Sequence, residues 1–202
     1  MTIASLSQII FLVELIAFLL VRIFFSITKH KDNRTNQQDE PTGNREGKVN
    51  FMIRRLILTP ALAIFLFLYF TNPPWMKLFS APFPRSEIWL GAILGLCGLL
   101  FLIWVHKYLG KEWSVDIRLG KDHRLIQSGP YSRIRHPMYT ALFAIYFSFG
   151  LVLSNYIVML LMIMIIVSLI ARIPKEEQTL IERFGDEYRS YMQKTGRFFP
   201  KL

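Results

Sequence analysis

Residues 137–172 read PMYTALFAIYFSFGLVLSNYIVMLLMIMIIVSLIAR, and this stretch decides the fold. Two apolar blocks, 138–153 and 157–171, are separated only by the turn at Ser154-Asn155. At ~1.5 Å per residue each block makes a helix of roughly 24 Å, shorter than the ~30 Å hydrocarbon layer. So short a turn makes the helices antiparallel. The stretch therefore reads as a tight hairpin that returns Arg172 and Glu176 to the side His136 left, so that His136 and Glu176 are expected to meet.

Working outward, three more apolar blocks precede the hairpin. The first, 6–27, contains Glu14 and Arg22; it is too long for a signal-peptide core and is read as a retained span. Arg22 is placed to snorkel, and Glu14 to pair inside the bundle or lie near the interface rather than to act in catalysis. A polar loop, 28–50, leads to a second span at 52–71 and a third at 87–108. Trp75 and Trp89 fall where interfacial aromatics are expected, and Gly91-x-x-x-Gly95 permits close helix approach. The fold expected is all-α: one polytopic membrane domain over 1–202 with about five spans. Polar cytoplasmic segments lie at 106–137 and 172–202, and Lys175–Lys194 is read as one amphipathic helix.

Charge sets the orientation. The 202 residues carry a net +10 with 52% hydrophobic residues, and mean hydropathy is +0.34. The basic residues flank apolar blocks, which explains the charge without nucleic acid. Their concentration in the first loop, in 106–135 and in the tail puts the N-terminus outside or in a lumen and the C-terminus in the cytoplasm. Cys97 is the only cysteine, so no disulfide within the chain is available, and the four histidines form no zinc-type pair. No metal site is expected.

Chemistry-bearing side chains crowd the cytoplasmic side: Gly129-x-Tyr131, Arg135-His-Pro-Met-Tyr139, Arg172-x-x-x-Glu176-Glu177, Phe184-Gly-Asp-Glu-Tyr188, Tyr191 and Thr195-Gly-Arg-Phe-Phe-Pro200. Taken singly, each has a plain structural reading. Arg172 and Glu176 sit at i and i+4 and suit a surface ion pair. His136, just before Pro137, suits a helix cap, and Tyr131 and Tyr139 suit an interfacial belt. Glu177 suits a solvent-facing position.

In this order the motifs resemble the isoprenylcysteine carboxyl methyltransferase family, within the wider group of small membrane methyltransferases that includes phospholipid N-methyltransferases. The resemblance covers roughly 100–200. It implies S-adenosylmethionine as cofactor, held by His123, Arg124, Leu125, Ile126, Tyr131, His136, Pro137, Met138, Tyr139 and Glu176. It implies Arg172 as the catalytic residue facing the acceptor and the transferred methyl. The absence of a strand followed by Gly-x-Gly-x-x-Gly agrees with a cofactor site outside the soluble nucleotide-binding folds. The acceptor implied is prenylated or lipid-like, met at the membrane lipid, and methylated on a carboxylate. A phospholipid amine or small thiol is the alternative, and an ammonium acceptor would need a base such as Glu177 or His136. A non-catalytic membrane assembly or scaffold protein is the reading from another class.

Overall fold

The computed structural model describes residues 3–33, 53–71, 73–109 and 125–201. Among them the chain is helical, with two isolated β-bridges. Helix α1 is Ile3–Asn33, α2 Thr59–Thr71 after a π-helical turn at Ile53–Leu58, and α3 Arg85–Leu109. The hairpin is α4 Pro137–Leu153 and α5 Tyr156–Ile170, followed by α6 Ile173–Phe184 and α7 Asp186–Lys194. Three stretches are long and apolar enough to cross a membrane: Leu6–Thr28, Arg85–Leu109 and Tyr156–Phe184. The apolar part of the last is α5. Leu56–Thr71 and Pro137–Leu153 are shorter apolar helices. The exposed leucines, isoleucines and phenylalanines on α1, α3 and α5 belong in lipid, making this an integral membrane protein.

Two boundaries differ from the sequence reading. Helix α1 runs past the apolar block to Asn33, because Thr28 to Asn33 contains no breaker and a helix needs no apolar face once outside lipid. The amphipathic segment is two helices, not one. Gly185 (φ 55°, ψ −126°) holds a backbone conformation that side chains with a Cβ rarely adopt, and the helix axis is interrupted there. The pattern Leu180, Ile181, Phe184, Tyr188, Tyr191 thus crosses a corner. Tyr188 and Tyr191 are buried, whereas Leu180, Ile181 and Phe184 are half-buried.

The hairpin turn is built rather than merely short. Ser154 takes the left-handed conformation that stops α4 (φ 46°). Asn155 Oδ1 then accepts from the N–H groups of Ile157 (3.0 Å) and Val158 (3.3 Å), capping α5. Asn155 is 0% exposed, because the 3₁₀ helix Pro74–Phe79 covers it. Ala81 N–H donates to Ser154 O (2.7 Å), and Tyr69 Oη donates to Leu153 O (3.0 Å). These contacts tie the second and third apolar segments to the hairpin tip.

At mid-depth α1, α3 and α4 meet through one polar contact. Ser148 Oγ donates to Glu14 Oε2 (2.8 Å), pairing the carboxyl inside the bundle as expected. The contact passes over Gly95, where an added Cβ would come within 2.5 Å of Ser148 Oγ and still closer to the Glu14 carboxyl. Phe11 and Phe18 of α1 pack edge-on against Phe149 above and below it. Gly95→Ala should therefore break the Glu14–Ser148 bond and lower stability by about 1–3 kcal/mol. Ser148→Ala, which keeps the packing, should cost about 0.6 kcal/mol. Unfolding of both variants in one detergent checks this; a Gly95→Ala protein as stable as wild type would refute it.

Candidate active site

The site is assembled where α4 begins and α5 ends. Pro137 starts α4, and the first helical bond runs from Thr140 N–H to His136 O (3.2 Å). Past Ile170 the apolar run stops, and a two-residue turn leads into α6, which carries Lys175, Glu176, Glu177 and Arg183 outside the span. Pro174 sits in its first turn and Glu176 beside the positive helix end, both favourable there. The hairpin therefore brings the two motifs together, as the sequence predicts.

The pairing is shifted by one residue. Tyr139 Oη donates to Glu176 Oε2 (2.7 Å), whereas His136 Nε2 meets Glu177 Oε1 (3.2 Å). Successive helical residues point about 100° apart, so the adjacent carboxylates meet different partners. Glu177 does not face solvent: it is 4% exposed. Its carboxylate also accepts from Arg135 Nε (3.2 Å), from Arg197 Nε (3.3 Å) and from Arg197 Nη2. Burial alone would raise its pKa. The hydrogen bonds and positive charge of His136 and Arg197 outweigh burial and hold it at about 2. Nor does the His136 side chain cap α4; its ring turns to α6 instead.

The C-terminal segment completes the arrangement. Gly196 forms a parallel bridge with Ile134, with Arg135 N–H donating to Gly196 O (2.8 Å) and Gly196 N–H to Arg133 O (3.1 Å). His136 N–H donates to Arg197 O (3.0 Å), and Thr140 Oγ1 to Phe198 O (2.9 Å). Arg135 Nη1 donates to Met192 O (2.9 Å) and to Thr195 O. The Phe198 ring lies edge-on to Phe143, 5.2 Å between centroids.

Of the residues expected to hold the cofactor, Tyr131, His136, Pro137, Met138, Tyr139 and Glu176 gather here. Tyr131 lies in the 3₁₀ turn Gly129–Ser132, whose backbone accepts Tyr191 Oη at Tyr131 O (2.6 Å). Burial, then the nearby Glu176 charge, raises the Tyr131 phenol pKa and keeps it neutral. Leu125 and Ile126 are half-buried and lead into that turn. Arg172 occupies the position before α6, one turn from Glu176. His123 and Arg124 lie outside the described residues. Arg135 and Arg197 stand within the sequence motifs, but nothing in the motifs alone gives either a role. The signal that could have found them was the Glu176-Glu177 pair itself, since a second carboxylate turned inward requires cations nearby.

Residues 91–182 match the Isoprenylcysteine carboxyl methyltransferase (ICMT) family. The chain is 33% identical over 96 residues to the protein-S-isoprenylcysteine O-methyltransferase of Schizosaccharomyces pombe, covering 46% of this chain and 41% of that one. It is 32% identical over 114 residues to the Saccharomyces cerevisiae protein of the same name, covering 55% and 48%. It is also 24% identical over 168 residues to the cobalt-zinc-cadmium resistance protein CzcN of Cupriavidus metallidurans, covering 80% and 71%. The matches thus span about half or less of the two yeast relatives. Residues 91–182 of this polytopic helical protein, which carry the hairpin and the Tyr139–Glu176 pair at its base, thus resemble the isoprenylcysteine carboxyl methyltransferases.

A folded-state pKa near 2 against an ordinary 4.5 makes Glu177 a stabilising group above about pH 4.5. Its contribution should fall away as pH drops from there through 2. Glu177→Ala, which leaves buried cations without a partner, should cost about 3–5 kcal/mol at neutral pH. Unfolding at pH 6 and pH 3 checks both points: the variant should lose less than wild type on acidification.

Proposed function

We propose that the chain is an S-adenosylmethionine-dependent methyltransferase of the protein-S-isoprenylcysteine carboxyl O-methyltransferase type, methylating the carboxylate of a lipophilic acceptor at the membrane. The observation that carries this reading is the Tyr139–Glu176 pair at the hairpin base, within the segment that matches the family. We read five spans, with the N-terminus outside or lumenal and the C-terminus cytoplasmic, so that the site opens where the basic segments lie.

The residues present suit the cofactor. Glu176 Oε2 takes the Tyr139 hydroxyl, and the second oxygen of the same carboxylate suits an ammonium. The positive end of α4, at His136–Tyr139, suits a carboxylate. Tyr131 and Tyr139 offer ring faces beside Glu176, as a sulfonium cation requires. When bound, S-adenosylmethionine supplies a methyl group on a good leaving group.

What the chain adds is alignment and charge. Arg172, one turn before Glu176, would hold the acceptor carboxylate in a bidentate fork. A carboxylate is already ionised at neutral pH, so no side chain need remove a proton. Glu177 is unsuited to act as a base, because its lone pairs are taken by Arg135, His136 and Arg197. An amine acceptor would need a base, and this engagement takes Glu177 out of that role.

Calorimetric titration of the purified protein with S-adenosylhomocysteine tests the cofactor, and its absence of binding would leave the non-catalytic reading. Glu176→Ala should weaken binding at least about tenfold, whereas Arg172→Ala should leave binding intact and lower turnover. Incubation with methyl-labelled cofactor and either a farnesylcysteine analogue or phosphatidylethanolamine tests the acceptor. Base-labile label on the former is expected; stable label in the lipid headgroup would sink the ester reading.

A further inference from the structure

The Glu177 cluster lies beside the residues assigned to the cofactor yet, in the methyltransferase reading, touches none of the reacting groups. Its carboxylate gathers three donor residues from two separate parts of the chain. Arg135 and His136 precede α4, and Arg197 comes from the C-terminal segment. Arg135 meanwhile binds Met192 O and Thr195 O, and Tyr188 of α7 packs beside both charges. A carboxylate placed only to hold the fold has no need of the imidazole, since two guanidinium groups already satisfy it. Including His136 fixes something else: which ring nitrogen carries the proton.

Nε2 faces an ionised acceptor at 3.2 Å, so Nε2 is the donor. The neutral ring then has its lone pair on Nδ1, which makes no hydrogen bond among the described residues. The ring is 4% exposed and is held in place on two sides, 5.6 Å from the Tyr139 ring and 6.5 Å from that of Phe198 between centroids. Its backbone is fixed as well, by His136 N–H to Arg197 O.

We propose that Glu177 is a positioning residue which, backed by Arg135 and Arg197, holds His136 as the Nε2–H tautomer and so presents Nδ1 as an acceptor to a donor group of the bound methyl donor. The proposal rests on the methyltransferase reading for its ligand but not for its tautomer. It divides the labour of the adjacent pair: Glu176 binds, and Glu177 orients the ring that binds. It also makes Arg197, from the C-terminal segment, part of the site's support.

The experiment uses the full chain in nanodiscs with ¹⁵N-labelled histidine, the His136 signals being assigned by their loss in His136→Asn. In wild type, at a pH where the ring is neutral, His136 should carry its proton on Nε2. Glu177→Gln, whose amide can donate as well as accept, should give a mixture of tautomers. The same variant should weaken S-adenosylhomocysteine binding about tenfold, with turnover at saturating cofactor changed less than the cofactor KM. Arg197→Met leaves the His136–Glu177 contact in place; it should keep the tautomer, and Arg197→Lys should restore most of any lost affinity. A proton on Nδ1 in wild type overturns the proposal even if no Glu177 variant folds, as does an unchanged tautomer and affinity in Glu177→Gln. If wild type binds no S-adenosylhomocysteine, the methyl-donor reading fails, while the ¹⁵N result still decides the positioning role.

Discussion

The buried carboxylate of Glu177 is the interaction on which the C-terminal half of the molecule depends. An ionised group removed from water is costly unless its lone pairs are filled by donors of good geometry, some of them cationic. Arg135, His136 and Arg197 fill them, drawn from either side of α6 in the chain. The start of α4, the start of α6 and the C-terminal segment are thereby locked to one another. Lipid cannot supply this order. Apolar helices gain little from each other over lipid chains, so the spans are held by close packing and isolated polar contacts, of which Glu14–Ser148 over Gly95 is the clearest.

The hairpin gives that carboxylate its partners. Antiparallel helices with a two-residue turn must start and finish near one plane, so residues more than 35 apart in sequence become neighbours. The tip is anchored from the opposite side by Asn155, Ser154 and the covering 3₁₀ turn at Pro74–Phe79. The hairpin is pinned at its tip by backbone and amide bonds and at its base by ions. Between those pins the apolar helices need only match one another's shape.

Within this frame the adjacent glutamates divide by geometry. Helical rotation directs Glu177 inward to the cations and leaves Glu176 beside Tyr139 and Tyr131. A carboxylate held by cations thus stands next to one that accepts from a phenol, and the two do not compete for the same donors. The arrangement suits a reaction in which alignment and charge, rather than proton transfer, are what the protein contributes.

Much of this was readable without coordinates. Uninterrupted apolar runs, a two-residue gap and basic flanks determine an all-helical membrane protein with a hairpin in its C-terminal half, because lipid admits few alternatives. The motif order likewise marked where the polar site must lie and named Tyr131, His136, Tyr139 and Glu176. Three things required tertiary structure. The corner at Gly185 was hidden because its flanking pattern keeps helical spacing across the break. The partner of His136 was off by one residue, since spacing sets which motifs meet but not the rotation of α6 about its axis. Glu177 read as a surface charge because its cations lie 42 residues before it and 20 after. The sequence by itself determined an all-helical membrane protein whose hairpin brings two polar motifs together; the packing of α6 against the C-terminal segment alone decided which carboxylate is held by the cations and which meets Tyr139.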